Sequence, residues 1–415
     1  MTKSEKNKSK KFIGQYQIVK TIAKGGYSKV YLVEDSQDSN KKYALKAIRD
    51  SSEKYKLQNE INIHKIVSQH DNIIRLEKII KVSSSWFFLF EYANEGDLEK
   101  QILKDGMFDE DKVLSVAKDM VNVLKHIQHL NIIHNDIKPS NILSKEGRYY
   151  LCDWGIAVNS NASETLHIRS DEIYVAPEVF RGTFSNKCDI YSLGCTLYYL
   201  ATGKKVYDVV EKCTYSYIMY AHCCLNIDLT EIKSKKLQYL ISGMMIKNPK
   251  DRISLEDIEN IIENKENFSQ EYKKVDYSVY KNKDCFELYE EMVDKGILFA
   301  YNNLAYLLEI DKKRKDIKKA MHLYEIAARK GLTKAMYNLA LCYFESKDIK
   351  KDDTNAFYWF RQAALKNHEK AQYHLAFFYE KGKVIEQDIN KAIQLYNISA
   401  LAGYKKSYIK LQNLK

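Results

Sequence analysis

His134-Asn135-Asp136-Ile137-Lys138-Pro139-Ser140-Asn141 decides the reading of this chain, together with Asp153-Trp154-Gly155 twelve residues after Asn141. Asp136 can accept or orient the proton of a hydroxyl, and Lys138 can neutralise a phosphate. Asn141 offers a hard oxygen to a divalent cation, and Asp153 adds a carboxylate for the same purpose. Gly155 permits a sharp turn beside that carboxylate. Read singly, each segment is an ordinary polar loop. Their order and spacing carry the information.

Upstream, Ile22-Ala23-Lys24-Gly25-Gly26-Tyr27-Ser28-Lys29-Val30 lies between two runs of strand character. Glycine lets main-chain N–H groups approach phosphate oxygens without a Cβ in the way. Against the pattern G-x-G-x-x-G-x-V, however, Ala23 and Ser28 replace the outer glycines and only Gly25 remains. By itself the segment reads more readily as a hairpin turn than as a nucleotide loop. Sixteen residues after Val30, Tyr43-Ala44-Leu45-Lys46 puts a lysine on a strand. Glu60, on a helical stretch around Lys54–Ser68, is its prospective partner, and their ion pair would hold the ammonium toward phosphates. Downstream come Ala176-Pro177-Glu178, Asp189 in Asp189-Ile190-Tyr191-Ser192-Leu193-Gly194, and Arg252 in Asn248-Pro249-Lys250-Asp251-Arg252.

Taken together, residues from about Tyr16 to Ile262 resemble the eukaryotic protein kinase domain. The resemblance implies a two-lobed fold, with a β-rich N-lobe over 16–93 and a helical C-lobe over 94–263, working with ATP and Mg²⁺. It implies catalytic roles for Asp136, Lys138, Asn141 and Asp153, the last two of these four as Mg²⁺ ligands. By the same likeness ATP is bound by Ile22, Ala23, Lys24, Gly25, Gly26, Tyr27, Ser28, Val30, Ala44, Lys46 and Glu60. Glu91, Tyr92 and Ala93 match the hinge that meets adenine through main-chain groups, beside Phe90 at the gatekeeper position. Asp97 would reach ribose, Leu143 would floor the adenine pocket, Glu178 and Arg252 would pair, and Asp189 would brace the catalytic loop. A lysine two residues after the catalytic aspartate is the Ser/Thr pattern, so protein substrates with Ser/Thr acceptors are implied. An alternative keeps the fold but not the chemistry: a scaffold of pseudokinase type, its glycine loop degraded.

Three departures from the family pattern stand out. Asn135 replaces the arginine that in many members receives an activation-loop phosphate. Activity largely independent of such phosphorylation is therefore expected; loss on phosphatase treatment, restored by a loop phosphosite, would refute this. Trp154 replaces phenylalanine, a larger ring that restricts outward flipping of the metal-binding segment. Ser170 and Asp171 stand where Gly-Thr usually precedes the Tyr174–Glu178 run, which leaves substrate preference less secure than nucleotide chemistry.

The rest of the chain frames these motifs. Short runs rich in Val, Ile, Tyr and Phe predict strands at 16–22, 29–34, 43–49, 74–82 and 86–91, before a 3.6-residue period takes over beyond Gly96. A polar stretch over 264–284 reads as a linker. After it one interval recurs: Ala320, Ala356 and Ala392 are 36 apart, as are Tyr324, Phe360 and Tyr396. Ala327-Ala328, Ala363-Ala364 and Ser399-Ala400 keep the same step, each pair followed by Gly or Asn at 331, 367 and 403. Such units are helix–turn–helix pairs that must stack to bury their apolar faces. Residues 285–415 thus resemble Sel1-like, tetratricopeptide-related repeats, a scaffold for protein partners or a purely structural addition. The fold class expected is multidomain α+β, with a C-terminal all-α helical-hairpin solenoid.

Composition narrows the setting. A net charge of +11 is dispersed apart from the Lys-rich first 15 residues, read as a flexible solvated tail. No basic helix face or known module points to nucleic acid. Eight scattered cysteines without a C-x-x-C pair imply reduced thiols. A polar start and no long apolar run imply neither a secretory signal nor a membrane span, hence a cytoplasmic protein, with nuclear or exported locations left open.

Overall fold

The computed structural model describes residues 11–24, 28–38, 40–48, 54–82, 85–160, 172–181, 183–207, 215–264, 271–272, 284–345, 349–402 and 404–413. Most of the expected tail and linker, and the expected ATP contacts Gly25, Gly26 and Tyr27, lie outside these residues. So do Ser170, Asp171 and Gly403, and of Lys24 and Ser28 only the main chain is described.

The alternating N-terminal runs form a six-stranded antiparallel sheet of order β1-β2-β3-β4-β6-β5. Its strands are β1 (Phe12–Ile13), β2 (Tyr16–Lys24), β3 (Ser28–Asp35), β4 (Lys42–Ile48), β5 (Leu76–Val82) and β6 (Ser85–Glu91). Successive strand residues point to opposite faces. Leu45 therefore clusters with Tyr16, Val33 and Leu89 on one side. Ala44 and Lys46 face the other side, registered against Phe90 and Phe88 on β6 and Leu32 and Val30 on β3. Helix α1 (Lys54–Val67) completes the lobe, its Ile63 and Val67 reaching into the larger core below.

That core belongs to a helical lobe with β7 (Gly96–Asp97), α2 (Leu98–Asp105), α3 (Glu110–His129), β8 (Ile132–Ile133), β9 (Ile142–Lys145), β10 (Arg148–Leu151) and β11 (Val158–Asn159). Helices α4 (Lys187–Thr202), α5 (Tyr215–Cys224), α6 (Lys235–Met244) and α7 (Leu255–Ile262) follow. Helix α4 is apolar on nearly every side and buries an unbroken run from Cys188 to Leu200, as a central helix must. At Gly194 an added Cβ would lie 2.9 Å from Met245 Cγ and 3.0 Å from Met244 Cβ. Only glycine lets α4 and α6 approach this closely.

The C-terminal region is a run of helical hairpins: α8 (Cys285–Asp294), α9 (Leu298–Ile310), α10 (Ile317–Arg329), α11 (Thr333–Glu345), α12 (Asp353–Leu365), α13 (Glu369–Lys381), α14 (Ile389–Leu401) and α15 (Lys405–Asn413). Asp316, Asp352 and Asp388 cap α10, α12 and α14, accepting from the third helical N–H at 2.9, 3.0 and 2.8 Å. Each such cap is worth about 1 kcal/mol. Gly331 and Asn367 close the turns at positive φ, 96° and 61°, a region that favours these two residue types. Adjacent layers lock by one device. Tyr324 donates to Glu309 at 3.0 Å and Tyr396 donates to Glu380 at 2.8 Å. In the layer between, the equivalent pair is Phe360 against Phe344, ring centroids 6.0 Å apart. A single apolar cluster runs from α3 and α4 through α8 and α9 into the later hairpins. The array is thus packed onto the helical lobe.

The paired exchange at the layers makes a prediction. Tyr324→Phe should destabilise the chain by about 1 kcal/mol, because it strands a half-buried carboxylate. Adding Glu309→Phe copies the middle layer and should recover most of that loss in urea unfolding.

Candidate active site

Lys46 stands on the cleft face of β4 with its side chain 12 % exposed. Its Nζ lies 2.6 Å from Glu60 Oε1 on α1 and 2.9 Å from Asp153 Oδ1 in the loop after β10. Burial alone would lower the ammonium, but the carboxylates of Asp153 and then Glu60 outweigh it and hold it well above the usual lysine range. In return the Lys46 charge pulls Asp153 down to about 2, against its burial. Asp153 adopts φ 66°, and Gly155 turns beneath it with an ideal Cβ position 3.3 Å from Asp153 Oδ1 and 3.7 Å from Glu60 Oε2. A side chain there would crowd the Asp153 carboxylate.

Main-chain bonds carry the network onward. The N–H of Cys152 donates to Asn141 O at 3.0 Å, and His134 Nε2 meets Cys152 O at 3.2 Å. Asn141 Nδ2 donates to the carbonyl and to Oδ2 of Asp136, both at 2.8 Å. Asn141 Oδ1 is then the acceptor oxygen of that amide left to a cation. Lys138 Nζ reaches Asp136 Oδ2 at 3.0 Å. Burial raises the Asp136 carboxyl, while Lys138 and Asn141 oppose the rise. The groups expected to act on phosphate, metal and hydroxyl thus form one continuous chain of contacts, Glu60–Lys46–Asp153–Cys152–Asn141–Asp136–Lys138.

Two anchors fix this chain. Asp189, 1 % exposed on α4, accepts the N–H of His134 and of Asn135 at 2.8 Å each. Burial pushes its carboxyl up to about 7 even so. Arg252 grips Glu178 in a fork, 2.6 Å from Nη1 to Oε1 and 2.9 Å from Nη2 to Oε2, fully shielded from solvent. Trp154 is buried with its ring edge-on to His134 at 4.7 Å and to His64 of α1 at 6.4 Å. Burial lowers both histidines to about 4, so they pack as neutral rings.

Of the remaining expected residues, Ala93, Phe90, Leu143 and Cys152 share one small apolar cluster with Ile74 and Tyr150. Ala23 and Val30 face each other across β2 and β3 at the cleft mouth. Ile22 lends its carbonyl to Lys100 Nζ at 3.3 Å. Asp97 is more committed than its expected ribose role required: Oδ1 caps α2 through Lys100 N at 2.9 Å, and Oδ2 pairs with Lys100 Nζ at 2.6 Å. Glu91 carries its N–H to Arg75 O within the sheet edge, and its side chain accepts from Arg75 N at 3.1 Å. Lys100 and His64 had not been anticipated. The first was legible as a lysine three residues after a capping aspartate; the second carries no local signal, since only the tertiary fold sets it against Trp154.

Comparisons with known proteins agree with this geometry. Residues 16–264 match the family model of the protein kinase domain, well over half of the chain. The chain belongs to the protein kinase family. Residues 298–332, 333–368 and 369–404 of this kinase each match the Sel1 repeat. It is 26% identical over 259 residues to serine/threonine-protein kinase PEPKR2 of Arabidopsis thaliana, covering 61% of this chain and 54% of that protein. Nek1 of Mus musculus, a serine/threonine-protein kinase, is 29% identical over 263 residues, 59% of this chain and 21% of Nek1. Nek5 of the same species, also a serine/threonine-protein kinase, is 32% identical over 248 residues, 58% of this chain and 39% of Nek5. The kinase chain therefore spans about half or less of the length of these relatives. No described helix is long and apolar enough to cross a membrane.

The donor set suits Mg²⁺. Among the described residues no cluster of three or more His, Cys, Asp or Glu could hold a metal by itself. Mg²⁺ characteristically takes one or two protein oxygens and completes its shell with water and substrate phosphate. Asp153, ionised far below neutrality, and Asn141 provide such a pair.

The acid limb of turnover offers a test. Lys46 holds Asp153 down to about 2 whereas burial raises the Asp136 carboxyl, so in a phosphotransfer reaction at this site the acid limb would follow Asp136. Lys138 lowers the Asp136 carboxyl. Lys138→Met should therefore shift the acid limb of the kcat/KM profile to higher pH, besides lowering its plateau.

Proposed function

We propose that this chain transfers the γ-phosphate of ATP to Ser/Thr hydroxyls of protein substrates. The observation that carries the proposal is the chain of contacts from Glu60 through Lys46 to Asp153 and, by way of the Cys152 main chain, to Asn141, Asp136 and Lys138. Phosphoryl transfer asks mainly for positioning and charge neutralisation, and each charged group it needs is in reach of the next. Lys46, held extended between two carboxylates, is placed to grip the α- and β-phosphates. Asp153 and Asn141 would hold Mg²⁺, which when bound would offset negative charge on the phosphates. Asp136, with its carboxyl raised by burial, orients the acceptor hydroxyl and takes its proton, and Lys138 shields the charge that remains.

Ala44 and Leu143 would contact the adenine, and main-chain groups of 91–93 would meet its edge. Ribose then competes with Lys100 for Asp97, so nucleotide entry frees that ammonium from its pairing. The repeats recruit protein partners or substrates and raise their concentration beside the cleft. Free thiols at buried Cys188 and Cys195 suit a reducing cytoplasm.

Asp136→Asn tests the proposal and separates it from a non-catalytic scaffold. The substitution preserves shape and should cut γ-labelled phosphate incorporation into acceptor proteins by more than about a hundred-fold, with nucleotide affinity little changed. Unaltered incorporation would assign the activity to another protein. Absence of labelling by the parent chain would favour the scaffold.

A further inference from the structure

The first repeat hairpin sits on the part of the helical lobe that walls the catalytic aspartate. Directly after Ala176-Pro177-Glu178 the chain makes a short 3-10 turn, Val179–Arg181. Phe180 in that turn is buried against Phe299 of α9, ring centroids 6.2 Å apart. Phe180 also lies 6.2 Å from the ring of His222 on α5. Two hydrogen bonds tie α5 itself to α8: Ser216 Oγ to Tyr289 OH at 3.1 Å, and Tyr220 OH to Glu291 Oε2 at 2.6 Å.

The opposite side of the same segment meets the active site. Tyr174, Val175, Ala176 and Val179 line a cavity of about 10 Å³ together with Asn135 and Asp136. A space of that size holds one water at most, so displacement of the segment is transmitted to the catalytic loop. Residues 174–180 are therefore a thin wall, with Asp136 on one side and Phe299 on the other. Within the wall, polar fasteners lie at its beginning and middle: Ser192 Oγ donates to Tyr174 O at 2.7 Å, and Arg252 holds Glu178. Asn135 contributes no charge with which to anchor an acidic or phosphorylated loop. At Phe180 the side chain meets two rings, His222 of α5 and Phe299 of the repeats.

We propose that Phe299 is a positioning residue for the protein substrate: by seating Phe180 it holds segment 172–181 in the one arrangement that presents an acceptor hydroxyl to Asp136. The repeat array, on this view, is a built-in brace of the substrate platform. The inference rests on the phosphotransfer reading above. Because Phe299 packs on Phe180 and on none of the groups assigned to ATP, its effect should appear in acceptor use and spare ATP binding.

The test uses the full chain, with myelin basic protein and dephosphorylated casein as acceptor probes. Phe299→Ala should lower kcat/KM for the better acceptor by roughly ten-fold, as small misplacements of reacting groups do, while KM for ATP stays unchanged. Phe299→Leu, which refills most of the space, should restore most of that loss. Phe180→Ala should match Phe299→Ala, and the double variant should lose little more, because the two act through one contact. Tyr220→Phe, a milder change at the same interface, should lower acceptor use in the same direction without unfolding the chain. Amide hydrogen exchange supplies a readout that does not need turnover: the N–H groups of Val175 and Val179 should exchange faster in Phe299→Ala than in the parent. Equal acceptor kinetics, an equal loss in ATP and acceptor parameters, or unchanged exchange across 172–181 would each overturn the proposal. If the parent labels neither probe while exchange rises as expected, the phosphotransfer reading fails and the brace stands as a structural one.

Discussion

Asp189 sits in the first turn of a helix that is buried on nearly all sides, and its two oxygens take the main-chain N–H groups of His134 and Asn135. A carboxylate so deeply placed is tolerable only because each oxygen has a donor. In exchange, it pins a loop whose main chain is unusual, with Asn135 at φ 65°. Asp136 follows immediately, so the direction of its carboxylate is set from below by the core helix. Loosening that single pair of bonds would free Asp136, and with it Asn141 and the main-chain link to Cys152 and Asp153.

The two lobes meet through a second, more exposed link. Lys46 belongs to the sheet, Glu60 to α1 and Asp153 to the helical lobe, with the Asp153 side chain 46 % exposed. An ammonium between two carboxylates is stable in this half-dry setting because each charge offsets the desolvation of the others. Behind it Trp154 packs edge-on to His64 and His134, both neutral rings, so the electrostatic contact has an apolar backing. The larger indole in place of phenylalanine fills the space between α1 and the catalytic loop. The candidate site therefore has a charged front and an aromatic rear, each placed by different elements.

The repeats extend the same logic outward. Their tyrosine–glutamate and phenylalanine–phenylalanine layers satisfy one geometric slot in two chemical ways, which is why the repeat survives substitution at that slot. Helices α8 and α9 complete the core of the helical lobe. Surface that the isolated lobe would expose at Phe180 and Tyr220 is covered from within the chain.

Local chemistry made much of this legible in the sequence. Alternation gave the strands, the 36-residue interval gave the hairpins, and motif order with the family resemblance singled out Lys46, Glu60, Asp136, Asn141 and Asp153 as candidates. The interval shared by Asp316, Asp352 and Asp388 was equally visible, and a capping rule would have read it. These features depend on neighbours a few residues away or on exact repetition, so one dimension suffices to carry them. The edge-on packing of Trp154 against His64 and the seating of Phe180 against Phe299 are of another kind. Partners such as residues 154 and 64, or 180 and 299, are joined by no periodicity, and their contact exists only once the chain has condensed around α4. Sequence by itself determined which chemical groups the protein owns and the order of its elements; packing decided which of those groups meet, because burial selects neighbours by shape and desolvation and not by distance along the chain.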